Sequence, residues 1–155
     1  MHTDGDAAGL FTVEHGWFGL ARLFGFPPAG EGIPVHLRIR SLATRWERDF
    51  DGVILRSRQR LVQDGSHWWL GEVFEGQSLE LWMRLEAYTN GLKYVAVGGK
   101  LWGVKIPIFP RVEATVRGDI PGRVKTDVEI RLPLIGRLVR YAGWLEVVPP
   151  EDEEE

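Results

Sequence analysis

The sequence predicts an all-β fold, a single antiparallel barrel or strongly curved sheet with one short helix near its start. Three observations carry that reading. Apolar and polar residues alternate with a period of two over most of the chain after Pro28, as in Val124, Thr126, Val128, Ile130 and Leu132 set against Arg123, Lys125, Asp127, Glu129 and Arg131. Tight-turn dipeptides, Asp51-Gly52, Asp64-Gly65 and Asn90-Gly91, separate the alternating runs. The 155 residues suffice for one domain with a core that needs no disulfide or metal, and the chain has no cysteine.

The elements follow in order. Residues 1–12 read as a disordered N-terminus. Val13, Trp17, Leu20, Leu23 and Phe24 recur near helical spacing and predict a helix from Val13 to Phe26, although Gly16, Gly19 and Gly25 weaken it. Pro27-Pro28 ends that helix. Ile33, Val35, Leu37 and Ile39 then alternate with Pro34, His36, Arg38 and Arg40 as a half-buried strand. Further strands are expected at Trp46–Phe50, Val53–Val62, His67–Phe74, Ser78–Tyr88, Leu92–Val97, Arg111–Arg117, Arg123–Leu132 and Arg137–Val148, which makes about nine. Gly98 to Pro110, with Gly99, Gly103 and Pro107, reads as a connection and not as a central strand. The β-rich domain therefore spans residues 13–148. A sheet wrapped on a long C-terminal helix finds no such helix after Trp144, so a calycin-like barrel is preferred.

Composition narrows the function classes. At 44% hydrophobic and 26% charged residues, the chain reads as a soluble globular domain. Glu151 to Glu155 form an acidic segment after Pro149-Pro150, expected as a disordered tail over residues 149–155. Without those five acids the net charge of −3 becomes +2, too balanced for a phosphate-neutralising surface, so nucleic acid is not an expected partner. No signal peptide and no membrane-spanning segment is visible, and the expected location is cytoplasmic.

Candidate ligand-binding residues come from parity. Arg56, Arg58 and Arg60 lie at i, i+2 and i+4 and share one face of a strand, opposite Val53, Leu55, Ser57, Gln59 and Leu61. Facing inward, such a row would offer guanidinium forks to a carboxylate or phosphate. Arg48 and Arg84 would join it beside Trp46 and Trp82, with Glu86 as counter-charge. Facing outward, it is a solvated surface with cross-strand ion pairs. The seven tryptophans include Trp68, Trp69, Trp82 and Trp102, which with Tyr94 line a cavity in one reading and pack the core and rim in the other. Tyr141 and Trp144 have opposite parity, and Glu113 is a candidate acceptor for the Tyr141 hydroxyl.

From Trp46 onward the chain resembles DUF4166, a bacterial domain of unknown function. The matching pieces are Trp46-x-Arg48-x-Phe50, Arg56-Ser57, Gly103 with Pro107 and Pro110, Glu113, and above all Pro133-Leu134-Ile135-Gly136-Arg137-Leu138-Val139-Arg140-Tyr141-x-Gly143-Trp144-Leu145. The family commonly has a Glu-Arg-x-Gly-Pro-like turn after the Arg-Ser strand; here the segment reads Ser66-His67-Trp68-Trp69-Leu70-Gly71-Glu72. The resemblance implies no catalytic residues. It does imply company, since members occur alone or attached to saccharopine dehydrogenase-like NAD(P)-binding domains.

Motifs for chemistry are missing from the sequence. His2, His15, His36 and His67 lack metal-ligand spacing, and HExxH, GxSxG, GxxxxGK[ST] and a strand-following GxGxxG do not occur. No cofactor or metal is expected. The preferred expectation is non-catalytic binding of a small amphipathic or carboxylate-bearing ligand in a barrel cavity. The alternatives are an accessory module for a separate oxidoreductase, with a protein partner, and an enzyme centred on Glu86, Glu113 or Tyr141.

Overall fold

The computed structural model describes residues 4–16, 20–41, 44–76 and 78–149. The chain runs through β1 (Gly5–His15), one helical turn α1 (Leu20–Leu23), β2 (Gly30–Arg40), β3 (Arg45–Phe50), β4 (Val53–Asp64) and β5 (His67–Phe74). It continues through β6 (Leu79–Tyr88), β7 (Gly91–Leu101), β8 (Val104–Lys105), β9 (Arg111–Ile120), β10 (Arg123–Leu132) and β11 (Gly136–Val148). β8 folds back on β7 for two residue pairs, and β7 then pairs directly with β9. With β1 beside β11 and β6 beside β7, the ten long strands close into an antiparallel barrel. Closure removes the open sheet edges that would otherwise invite pairing with other chains.

The period-two pattern sends one row of each strand inward. Phe11 and Val13 of β1 face Gly143 and Tyr141 of β11, and Val128 of β10 faces Tyr141 from the other side. Phe11, Val13, Phe50 and Val139 are almost wholly buried. Each such side chain contributes about 1.5–3 kcal/mol through burial. Gly143 is needed at this level: a Cβ there would stand 2.5 Å from the Phe11 ring and 2.1 Å from the Leu10 carbonyl oxygen. Phe50 meets Phe11 and Tyr141 edge-on, at centroid distances of 6.1 and 5.3 Å. Asp51 and Gly52 both take positive φ, 51° and 96°, as the tight β3–β4 turn requires.

The two ends of the barrel differ. Where β1 leaves and β2 enters, Ala21 of α1 is buried in the core and Leu20 and Phe26 pack against it. At the opposite end, toward the β4–β5 hairpin, the inward-parity residues Leu61 and Trp68 are 72% and 61% exposed.

Several expectations are corrected. The N-terminus is not frayed through residue 12, nor is Val13 the start of a helix: Gly5–His15 is a strand paired on both sides, and only Leu20–Leu23 is helical. Burial of Phe11 and Val13 between two neighbours outweighs a glycine-weakened helical pattern. Trp17, counted in that pattern, lies outside the described residues, as do residues 150–155 on which the acidic-tail expectation falls. The connection expected from Gly98 is strand as far as Leu101: Gly98 and Gly99 pair with Trp82 and Leu81, and Val97 is the extra residue of a bulge opposite Trp82 and Met83. The turn read at Asn90-Gly91 has Thr89 and Asn90 at its centre, because Tyr88 pairs with Gly91.

Candidate ligand cavity

The barrel encloses a hollow of about 300 Å³ lined mostly by apolar side chains. Liquid water occupies about 30 Å³ per molecule, so the space matches about ten waters or a ligand of ten to fifteen heavy atoms. Val35, Leu37 and Met83 supply aliphatic wall, and Phe11, Phe50 and Tyr141 supply the aromatic side toward the plugged end.

One patch of this wall is charged. Arg48 on β3, Ser57 on β4 and Glu72 on β5 all have inward parity, because Trp46 pairs with Ser57 and Ser57 with Phe74, two residues past Glu72. Arg48 donates from Nη1 to Ser57 Oγ at 3.0 Å and from Nη2 to Glu72 Oε1 at 3.0 Å. Ser57 donates its hydroxyl to the same Oε1 at 2.5 Å. Ser57 is fully buried, and the Glu72 side chain retains only 8% exposure. The 18% of the Arg48 side chain that stays accessible belongs to a residue lining the hollow. Its guanidinium carbon also sits 5.4 Å from the centre of the Trp46 ring, a cation–π contact.

Electrostatics follow from this geometry. Burial works against the charge on Arg48, but the Glu72 carboxylate outweighs it and holds the guanidinium above its ordinary value. The guanidinium therefore stays charged, with Glu72 held against it as its counter-charge. Burial pushes the Tyr141 phenol up; Arg48 opposes that rise and Glu72 adds to it. Tyr94 is raised by burial and then by Glu72. Both phenols stay protonated at neutral pH and serve as hydroxyl groups, not as phenolate bases.

Of the candidate ligand-binding residues Arg48, Arg56, Arg58, Trp82, Arg84, Glu86, Glu113 and Tyr141, the structure brings Arg48 and Tyr141 to the cavity and leaves the others outside. The inward reading of the arginine row is corrected: Arg56 pairs with Glu47 at 2.9 Å and Arg58 with Glu75 at 3.4 Å on the outer surface. Three guanidinia inside would need three buried counter-charges, and the interior supplies one carboxylate beside Arg48. Arg84 pairs with Glu86 at 2.7 Å, and Glu113 with Lys93 at 2.8 Å, all outside, so Glu113 does not receive a bond from Tyr141. Trp82 is buried but on the outer face, donating to Glu80 at 2.7 Å beneath Lys100 and Lys105. Trp69 stacks on His67, and Trp68 and Trp102 are exposed, so of the group Trp68, Trp69, Trp82, Tyr94 and Trp102 it is Tyr94 that lines the cavity, together with Trp46 beside Arg48. Trp144 lies outside under Arg123, opposite in parity to Tyr141.

Gln59 and Glu72 on the cavity wall, and Ser57 buried against Glu72, are the residues that sequence reasoning passed over. The signal was present: Ser57 and Gln59 share parity with Val53 and Leu55, and Glu72 shares it with Leu70 and Phe74. Glu72 closes the segment where the chain departs from the family's common turn; here that segment enters β5.

Fold and site together define a closed, hollow antiparallel barrel with a neutralised ion pair on its inner wall. The chain belongs to the DUF4166 family, a domain of unknown function, whose model matches residues 8–145. No curated protein and no solved structure matches it. Among the described residues, no helix is long and apolar enough to cross a membrane, and no group of three or more His, Cys, Asp or Glu could hold a metal ion.

Proposed function

We propose that this barrel binds a small amphipathic molecule without transforming it. The observation that carries the reading is the hollow of about 300 Å³, lined by apolar side chains except for Arg48, Gln59, Glu72, Thr126 and the phenols Tyr94 and Tyr141, with Ser57 buried beside the Arg48–Glu72 pair. Small-molecule sites have this composition, an apolar lining with few placed polar groups. Arg48 and Glu72 anchor the polar end of the ligand; Leu37, Met83 and Phe50 contact its tail. Native mass spectrometry of the protein, purified without denaturant, tests it. The expected result is a retained small-molecule mass that is lost in Arg48→Met. A clean unliganded mass, with no thermal shift from a panel of amphipathic lipids, would overturn the reading.

A second reading, an accessory module docking on a separate oxidoreductase, draws on the β7–β9 connection, where Trp102, Val104 and Ile108 are 77%, 67% and 70% exposed. Exposed apolar groups clustered in one segment are a common mark of an interface. Affinity capture from a host extract should then recover an oxidoreductase with the wild type and not with Trp102→Asp/Ile108→Asp. Equal recovery, or none, removes this reading.

A further inference from the structure

The cavity's polar anchor is a guanidinium already paired with a carboxylate, and that pairing constrains the ligand. The guanidinium of Arg48 is already satisfied electrostatically by Glu72, and both Arg48 and Ser57 donate to the same carboxylate oxygen, Oε1. What the wall offers an incoming group is thus a paired donor and acceptor of no net charge. We propose that the cavity selects an uncharged ligand head able to donate and accept hydrogen bonds, an alcohol above all, and discriminates against a carboxylate. This rests on the reading of the barrel as a ligand container and specifies the chemistry of its ligand.

The argument is one of charge and geometry. An alcohol can accept from an Arg48 N–H and donate to Glu72, so both members of the pair keep their bonds and no charge is added to the wall. A carboxylate can only accept. Its attraction to Arg48 is met by repulsion from Glu72, whose oxygen lies 3.0 Å from the same guanidinium. The desolvation cost of burying the anion then remains without compensation. The remaining polar residues of the lining, Gln59, Tyr94, Thr126 and Tyr141, are neutral and add no cation. Among the described residues, Arg48 is the lone basic side chain of that lining.

Glu72 is accordingly the residue that determines specificity, and its replacement should reverse the preference. Glu72→Gln keeps the shape and an acceptor oxygen but removes the counter-charge, leaving Arg48 to take a carboxylate. The probes are 1-decanol and decanoate, matched in chain length and suited to the size of the hollow, titrated at pH 7.5 by calorimetry or Trp fluorescence. Wild type is expected to bind decanol at least tenfold more tightly than decanoate, and Glu72→Gln to bind decanoate more tightly than decanol. Decanoate binding to wild type as tightly as decanol overturns the inference while leaving the container reading intact, as does a Glu72→Gln protein with unchanged preference. Should that variant not fold, the wild-type ranking alone decides. Absence of binding by either probe, alongside a clean native mass, defeats the container reading and this inference with it.

Discussion

The wall around β3 and β4 carries arginine–glutamate pairs on both of its faces, and the two sets stand in different electrostatic settings. Outside, Glu47 takes Arg38 at 2.7 Å and Arg56 at 2.9 Å, while Glu75 sits near Arg45 and Arg58 at 3.3 and 3.4 Å. Those side chains remain between 20% and 57% exposed, and water screens them. Inside, Arg48 and Glu72 form one pair at 3.0 Å with 18% and 8% exposure. The same two residue types thus make a replaceable surface network on one face and an obligatory couple on the other.

The largest expected effect breaks the inner couple. Glu72→Ala should destabilise the protein by about 3–5 kcal/mol, because it leaves a buried guanidinium without its counter-charge. Chemical denaturation of the variant checks this. The double replacement Arg48→Met/Glu72→Leu sharpens the comparison: removing both charges together should restore most of the loss. If the double variant is as unstable as Glu72→Ala, desolvated charge is not what holds Arg48 and Glu72 together.

The smaller effect is on the outer face. Arg56→Ala should cost less than about 1 kcal/mol at neutral pH. The Glu47 carboxyl is held below its ordinary value of 4.5, first by the hydrogen bond from Arg56 and then by that from Arg38. A depressed carboxyl stabilises the fold above its unfolded value, and that contribution disappears as pH falls through the folded value. The stability gap between wild type and Arg56→Ala should therefore be present at pH 6 and shrink as pH falls below 4.5, as thermal melts across that range will test. A gap that persists at pH 3 would assign the effect of Arg56 to packing of its stem.

The same contrast explains what could be read in advance. Alternation along Val124–Leu132 and the Asp51-Gly52 turn made the antiparallel barrel legible, because a half-buried strand must alternate and a tight hairpin needs positive φ. The sequence also singles out Arg48, as an addition to the arginine row, and Tyr141, as a partner of Glu113. Both line the cavity for another reason: each shares strand parity with inward apolar neighbours. The facing of β4 was harder, because both of its rows contain polar residues: Arg56, Arg58 and Arg60 on one, Ser57 and Gln59 on the other. Guanidinium count decides it, as one interior can neutralise one arginine more readily than three. Glu72 was hidden for a different reason. A carboxylate between Gly71 and Val73 reveals its role only once Arg48, far earlier in the chain, is placed across the wall from it. In β1 tertiary pairing overruled a helical spacing, which local sequence cannot report.

The seam between β1 and β11 sets the order in which this molecule is completed. Every other ladder joins strands that follow one another closely along the chain, so those hairpins can zip as they leave the ribosome. The register that aligns Asp6 with Val148 must wait for the last strand to be synthesised. Until then β1 displays an unmatched row of amide groups, and the nascent sheet is at its most vulnerable to joining a neighbour's edge.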